Sequence, residues 1–306
     1  MNVLIFGGTG YIGRNLIKEL LSFQYDICVV TRNRGKTKGI PVPSVKILEW
    51  DNIAPLPAEE LKKIDVVVNL AGESIGGRRW TGAVKQEILD SRLRTTRAIV
   101  SAIQAQTLEP QLLVNASAVG YYGPRQDEEL TEADAPGDDF LARVCLAWEK
   151  EAYRAQSDTT RVVTARLGVA LGYEGALNRM LTPYRFFAGG YLGSGKQWLS
   201  WVHIQDLTGM LRWLIEHPEI KGPVNLTAPE PAQMRTVAQE IGLALNRPAW
   251  LPVPEFMLKI VLGQMSESIL HGQRAVPKKL LDTGFKFIYP TIRLALQSLI
   301  KNCDQQ

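Results

Sequence analysis

Three glycines near the start of the chain stand at a spacing that suits a dinucleotide. They form the pattern G-x-x-G-x-x-G, which follows the short strand-forming run Met1-Asn2-Val3-Leu4-Ile5-Phe6 and precedes apolar residues at helical spacing. The first glycine permits a sharp turn, the second leaves room for a pyrophosphate, and the third lets the helix pack on its strand. The free N–H groups at a helix N-terminus also favour phosphates. The pattern predicts a cofactor-binding turn, and the alternative is a tight turn without a ligand. We assign to this turn Gly7, Thr9, Gly10, Tyr11, Ile12 and Gly13.

Further runs of strand length alternate with stretches of helical periodicity. They cover residues 26–30, 45–51, 65–72, 111–118 and 161–169. This alternation predicts an α/β fold with a doubly wound parallel Rossmann sheet. At 306 residues the chain is too long for that unit alone, so we expect a smaller C-terminal substrate lobe. We place the Rossmann domain at residues 1–170, with residues 203–227 returning to it, and the lobe at residues 171–202 and 228–306.

The end of the second strand determines which dinucleotide such a fold prefers. An acidic residue about 20 positions after the glycine turn accepts from the ribose of NAD, whereas a basic residue accommodates the 2′-phosphate of NADP. Here Thr31-Arg32 occupies that place, and Arg34 and Lys36 add positive charge. The alternative is a solvated basic loop. The sequence therefore predicts NADP(H), held in part by Thr31 and Arg32.

The ends of the third and fourth strands supply further candidates for ligand contact. Asp51 is placed either to approach the adenine or to cap the next segment. Small residues at the exit of the fourth strand would let a cofactor lie against backbone, so we assign Leu70, Ala71, Gly72 and Glu73 to the cofactor site, with Arg92 on the following helix. For Glu73, Arg79 and Trp80, contact with substrate or cofactor competes with a plain turn.

Composition describes an ordinary globular protein and excludes several classes. Hydrophobic residues make up 45% and charged residues 22%, and the net charge of +4 comes without a basic run, so we expect no nucleic-acid partner. We expect no signal peptide, no integral membrane segment and no metal, since the three histidines are scattered. Three widely spaced cysteines fit a reducing compartment, so we expect a cytoplasmic protein. Gly190, Gly195 and Lys196 match the glycine and lysine positions of a phosphate-binding loop. Gln197, however, occupies the position at which such a loop carries a serine or threonine, so we do not expect this motif to bind ATP.

Motifs along nearly the whole chain resemble those of the extended short-chain dehydrogenase/reductases. They are the glycine turn, Asn69-Leu70-Ala71-Gly72, Ser117 with Tyr121-Tyr122-Gly123, and Trp201 to Leu207. Arg79-Trp80-Thr81, Ser91-Arg92, Trp148-Glu149, Gly272-Gln273-Arg274 and Gly284 to Phe287 are similar to the subgroup called "epimerase family", some of whose members are named SulA-like cell-division inhibitors. The resemblance implies an extended Rossmann domain, bound NADP(H) and a C-terminal substrate lobe. It supplies no substrate.

The chain departs from this resemblance at the residues that move protons. The superfamily uses a Tyr-x-x-x-Lys pair, in which the lysine lowers the pKa of the phenol. The matching positions here hold Leu141 and Cys145, and Ala118 stands at the usual serine. We take Ser117, Tyr121 and Tyr122 as replacement candidates, although paired tyrosines are often core aromatics. His203 is another candidate, for which a structural role is the stronger interpretation.

The C-terminal half supports two functions of different classes. Residues 172–195, rich in glycine and aromatics, suggest a mobile substrate loop. The apolar helix expected over residues 255–262 should pack in a core, with a membrane or partner contact as the alternative. The first function is an NADP(H)-dependent oxidoreductase or epimerase-like enzyme acting on an unknown small molecule. The second is a non-catalytic NADP(H)-binding regulator with a protein partner, in cell division as the subgroup's name suggests, or a homodimer.

Overall fold

A seven-stranded parallel sheet organises the molecule. The computed structural model describes residues 1–61 and 63–301. The strands are β1 (Asn2–Phe6), β2 (Asp26–Thr31), β3 (Lys46–Glu49), β4 (Val66–Asn69), β5 (Leu112–Ala118), β6 (Glu129–Leu130), β7 (Arg161–Leu167), β8 (Val169–Leu171), β9 (Trp198–Leu199), β10 (Trp201–His203), β11 (Gly222–Leu226), β12 (Ala232–Gln233) and β13 (Arg274–Ala275). The large sheet has the order β11-β7-β5-β4-β1-β2-β3. Its order reverses between β1 and β4, which opens a crevice at their carboxyl ends.

Helices cover both faces of this sheet, and others contribute to a further hydrophobic core. They are α1 (Tyr11–Ser22), α2 (Ala58–Leu61), α3 (Gly82–Gln104), α4 (Phe140–Tyr153), α5 (Ala176–Arg185), α6 (Ile204–Glu216), α7 (Met234–Leu245), α8 (Glu255–Leu262), α9 (Glu267–Leu270), α10 (Lys278–Asp282) and α11 (Ile292–Lys301). The predicted α/β class with a doubly wound parallel sheet is confirmed. Within residues 1–61 and 63–301, no helix has both the length and the apolarity needed to cross a bilayer.

Near-continuous apolar strands explain why both faces of the sheet are covered. Every residue of β4 is buried, because Val66 and Val68 pack in one core while Val67 packs in the other. One core lies under α1 and α6, where Leu16 and Leu211 meet the sheet. The other lies under α3, where Ile99 belongs to the buried set. Parallel pairing in register then brings the ends of β1, β2, β3 and β4 to one edge.

Elements from the second half of the chain complete the large sheet and its helical cover. β11 pairs with β7, and α6 lies against α1. A further hydrophobic core receives Tyr184 from α5, Val237 from α7 and Leu296 from α11. Leu280 of α10 belongs instead to the core under α1 and α6. Part of the C-terminal stretch therefore packs on the Rossmann domain.

Two expectations for the second half are corrected. The stretch 172–195 is not only a loop, since α5 occupies its middle and buries Leu177 and Leu181. The expected core packing of residues 255–262 is wrong: Phe256, Ile260 and Val261 are 64–69% exposed, and Leu258 is the buried residue of α8. The helix is apolar on most of its circumference, and a short surface helix can bury only one side.

Candidate functional site

A cavity of about 620 Å³ lies at the carboxyl ends of the first four strands. The glycine turn, the ends of β2 and β4, the residues after β3 and one face of α3 form its walls. The lining comprises Phe6, Gly7, Thr9, Gly10, Val30, Thr31, Arg32, Asn33, Trp50, Asn52, Leu70, Ala71, Gly72, Glu73, Glu87, Ser91, Arg94 and Thr95. This is the switch point of the sheet, where open α/β folds bind their ligands.

The glycine turn has the geometry of a phosphate cradle. Gly7 has φ +76°, and a Cβ there would lie 2.7 Å from the backbone carbon of Leu70. A Cβ on Gly13 would lie 2.6 Å from Gly8 Cα, so the turn tolerates no side chain at either position. Gly10 caps α1 in an extended conformation and has no side chain that could accept from the first N–H groups. These features fit a dinucleotide pyrophosphate at the N-terminus of α1.

Most of the predicted cofactor residues line the cavity. They are Gly7, Thr9, Gly10, Thr31, Arg32, Leu70, Ala71, Gly72 and Glu73. Gly13 lies beneath the turn, and Ile12 packs against the core under α1. Trp50 and Asn52, which the sequence analysis missed, line the cavity after β3.

Tyr11 and Asp51, two other predicted cofactor residues, are not part of the cavity lining. The hydroxyl of Tyr11 is buried without a hydrogen-bond partner in the described chain, and burial raises its pKa to about 12. The exposed carboxylate of Asp51 accepts from the backbone N–H groups of Ile53 and Ala54 at 2.8 and 3.0 Å. These bonds lower the pKa of Asp51. Of the two roles considered for Asp51, the structure shows the cap of a turn.

Arg32 presents an uncompensated charge to the cavity. It is exposed and makes no ion pair or hydrogen bond with any residue that the structure describes. Its neighbour Arg34 is partnered, since its Nε lies 3.5 Å from Glu49. The side chain of Lys36, expected to add charge here, lies outside the described part of the chain. Arg32 is therefore the available cation at the end of β2.

Arg92 lies between the exit of β4, which lines the cavity, and helix α4. Its Nη1 donates to the carbonyl oxygens of Glu73 at 3.1 Å and Ile88 at 3.0 Å. The guanidinium lies over the ring of Trp148, and a Cβ on Gly72 would be 3.3 Å from its Cζ. Burial lowers the pKa of Arg92, and its charge reaches the thiol of Cys145. The guanidinium of Arg92 therefore lies near Cys145, the position at which the resemblance implies a lysine.

A buried ion pair, missed in the sequence, holds two of the proposed catalytic residues. Arg166 donates to Glu149 from Nε at 2.9 Å and from Nη2 at 3.0 Å. Ser117 donates to Glu149 at 2.7 Å. Tyr122 accepts from Arg166 at 3.0 Å and donates to Asn225 at 2.7 Å. Burial would lower the pKa of Arg166, but the hydrogen bonds and charge of Glu149 raise it.

This network places Ser117 and Tyr122 in the interior. Ser117 is 2% exposed and Tyr122 is fully buried, and none of Ser117, Tyr121 and Tyr122 lines the cavity. Burial raises the pKa of Tyr122 to about 12, which opposes proton transfer near neutral pH. Tyr121 is half-buried, and the guanidinium of Arg166 lies 3.4 Å from its ring centre. The sequence did carry a signal for this pair. Glu149 and Arg166 are charged residues that stand among apolar residues, one in a helix and the other in a strand.

His203 makes structural contacts through one ring nitrogen, whereas its Nε2 is buried without a hydrogen-bond partner in the described chain. Its Nδ1 caps α6 by accepting from the N–H of Gln205 at 3.1 Å, and its ring stacks on Tyr289 with centres 3.8 Å apart. Burial lowers its pKa to about 4. Across residues 1–61 and 63–301, no three His, Cys, Asp or Glu side chains form a group that could hold a metal ion.

Contacts across the site join the loop after β4 to the second half of the chain. A Cβ on Gly263, just after α8, would meet Arg79 Nε at 2.7 Å. Arg179 of α5 donates to the carbonyl oxygen of Gly76 at 2.5 Å. Trp80 is buried and donates to the carbonyl oxygen of Ile75 at 2.9 Å. For Arg79 and Trp80 the structure thus shows contacts with the protein itself.

Comparison with known proteins gives matches over the full length. Residues 3–226 match the family model described as NAD dependent epimerase/dehydratase family, and residues 253–299 match a domain of unknown function (DUF1731). The chain is 43% identical over 301 residues to the Epimerase family protein YfhF of Bacillus subtilis, covering 98% of both chains. It is 39% identical to the chloroplastic Epimerase family protein SDR39U1 homolog of Arabidopsis thaliana, covering 98% of this chain and 87% of that one. The crystal structure of human epimerase family protein SDR39U1 (isoform2) with NADPH superposes with a TM-score of 0.89 at 36% identity, covering 99% of this chain and all of that one.

Proposed function

The chain belongs to the NAD dependent epimerase/dehydratase family, and from that premise we propose that it binds NADP(H) and transfers hydride as an oxidoreductase or epimerase-like enzyme. One observation carries the proposal. The cavity joins a glycine phosphate cradle at one wall to an unpaired arginine, Arg32, at another. A bound nicotinamide would supply the hydride chemistry, and the small residues Ala71 and Gly72 leave room for it against the backbone.

A preference for NADP(H) over NAD(H) follows from charge at the end of β2. NADP(H) differs by a 2′-phosphate, and Arg32 can meet it with a charge-assisted, bidentate contact. Neither Thr31 nor Asn33, the neighbours of Arg32 in the lining, is acidic. The similar human protein was crystallised with NADPH, which supports the same assignment here.

We place the substrate between the Rossmann domain (residues 1–170 and 203–227) and the C-terminal lobe (residues 171–202 and 228–306). Counting back from Glu149 assigns the positions of the usual Tyr-x-x-x-Lys pair to Leu141 and Cys145, so we propose that another group handles the proton. Of the three candidates, Ser117 and Tyr122 are enclosed by the ion pair. Tyr121 makes no side-chain hydrogen bond within the described chain, and we retain it as the proposed proton donor. Arg92 is the proposed fixed cation at the inner end of the cofactor site.

The test is transfer of a label from the cofactor to a product. Protein loaded with NADPH deuterated at the reactive carbon is offered carbonyl compounds, which can accept the hydride. Protein loaded with NADP⁺ is offered sugar nucleotides deuterated at the carbon to be oxidised, and the products of both reactions, reduced compounds or epimers, are examined by mass spectrometry. Deuterium in a product, with the rate strongly reduced in Tyr121→Phe, is the expected result. Oxidation of NADPH without a deuterated product from any compound would mean uncoupled oxidation, and the enzyme proposal would fail.

A second candidate is a non-catalytic NADP(H)-binding regulator with a protein partner, for which the name of the subgroup suggests cell division. The specific observations that favour it are Leu141 and Cys145 at the proton-transfer positions and the exposed apolar side chains of α8. Affinity capture with and without NADPH, on wild type and on Ile260→Asp, separates the two. A partner that is captured only with NADPH present and only by the wild type supports the regulator proposal. Capture that does not depend on NADPH opposes it.

We also propose a cytoplasmic location. Cys28 and Cys145, the two cysteines within the described chain, are buried free thiols, which suits a reducing compartment. Cys303 lies outside the described residues.

A further inference from the structure

Helix α3 presents two different faces to its surroundings. On one face Thr96 accepts from Trp148 Nε1 at 2.9 Å, and Arg92 stacks on the same ring. The other face carries Glu87, Ser91, Arg94 and Thr95, which all line the cavity. Their spacing of four, three and one residues keeps them on a single side of a helix. This side forms a cavity wall that the sequence analysis did not assign.

Of the two charged side chains on this wall, one has an ion-pair partner and the other has none within the described chain. Glu87 is already paired with Arg78, whose Nη2 lies 2.6 Å from its carboxylate. Ser91 accepts from the backbone N–H of Glu73 at 3.1 Å. Arg94 is exposed and makes no ion pair or hydrogen bond with any described residue. The wall therefore offers one uncompensated guanidinium to the cavity.

We propose that Arg94 is a second contact for the 2′-phosphate of NADP(H), acting together with Arg32. The proposal rests on the proposed cofactor and adds a residue that determines its specificity. A phosphomonoester carries about −1.5 to −2 charges at neutral pH, so one guanidinium leaves part of that charge uncompensated. Arg32 and Arg94 line the same cavity, whose other acidic residue, Glu73, belongs to the exit of β4 and interacts electrostatically with Arg92. Two arginines, at the end of β2 and on α3, therefore suit the dianionic group of the adenosine end.

Equilibrium titrations of the full-length protein test this assignment. The ligands are NADPH, NADH, 2′,5′-ADP and 5′-ADP, and the variants are Arg94→Gln and Arg94→Lys. Arg97→Gln is the matched control, because Arg97 lies on the same helix, is exposed and pairs with Glu151 away from the cavity. Arg94 is exposed, so thermal melting should show that the variants remain folded.

The expected result is selective for the extra phosphate. Arg94→Gln should weaken NADPH and 2′,5′-ADP by about tenfold and change NADH and 5′-ADP by less than about twofold. Arg94→Lys should fall between Arg94→Gln and wild type, and Arg97→Gln should match wild type. Unchanged affinities in Arg94→Gln, or an equal loss for NADPH and NADH, would overturn the assignment while leaving the proposed cofactor intact. Failure of the wild type to bind either nucleotide would overturn both.

Discussion

Replacing Glu149 by Gln should destabilise the fold by about 3–5 kcal/mol and leave NADPH affinity unchanged. The carboxylate is 5% exposed and its partner Arg166 is 3% exposed, so neither charge is solvated. Glutamine keeps the shape of the side chain but removes the negative charge, and its amide nitrogen cannot accept from the guanidinium. A buried, unpaired Arg166 would remain, which is the expensive outcome of breaking such a pair.

The double variant Glu149→Leu/Arg166→Met separates loss of a pair from loss of packing. It removes both charges and leaves Ser117 without an acceptor and Tyr122 without a donor. Two lost hydrogen bonds amount to about 2 kcal/mol, so the double variant should be more stable than Glu149→Gln.

Urea unfolding followed by circular dichroism gives the free energies, and fluorescence titration under native conditions gives the NADPH affinity. If Glu149→Gln lies within about 1 kcal/mol of wild type, well below the loss expected for a broken buried pair, the pair does not stabilise the interior as argued. If it abolishes NADPH binding while the protein stays folded, Glu149 belongs to the cofactor site. Arg166→Lys, which keeps the charge, is the milder variant should Glu149→Gln not fold.

Two further predictions concern the glycine turn and the histidine cap. Gly13→Ala puts a methyl group 2.6 Å from Gly8 Cα, so the turn must open. NADPH affinity should fall by more than about tenfold and the free energy of unfolding by about 1–3 kcal/mol in urea; wild-type affinity would contradict the cradle. Burial lowers the pKa of His203 from 6.5 to about 4. Between these two pH values the unfolded chain binds more protons than the folded chain, so the free energy of unfolding falls as the pH falls. Between pH 7 and 4.5, wild type should lose about 2 kcal/mol more than His203→Asn, which keeps an acceptor for the cap. Parallel stability curves would contradict a buried neutral imidazole.

The parts of the fold set by short-range pattern were predictable. The strand predicted over Met1 to Phe6, the glycine turn and the helix after it are encoded within about twenty residues, and the structure contains them as β1 (Asn2–Phe6), the turn and α1 (Tyr11–Ser22). Because carboxyl ends of parallel strands meet at one edge, residues after β1, β2 and β4 could be assigned to one site before their distances were known. Arg32 and Gly72 line the same cavity for this reason.

Features that depend on distant parts of the chain were not predictable. Glu149 and Arg166 meet only because α4 packs beside β7, and no local periodicity encodes that contact. Arg94 was missed because helical spacing alone does not say which side of α3 faces a ligand. The burial of α8 was overstated for a related reason. An apolar helix is buried only where neighbours cover it, and within the described chain Phe256 and Ile260 stay 64% and 68% exposed.

Nucleotide binding by wild type and Arg32→Ala, followed by fluorescence, tests the central claim most directly. Wild type should bind NADPH much more tightly than NADH. Arg32→Ala should weaken NADPH by at least about tenfold, as expected for loss of a charge-assisted contact, and should leave NADH within about twofold. Equal affinity of wild type for both nucleotides, or no binding of either, would contradict the claim that this cavity is an NADP(H) site.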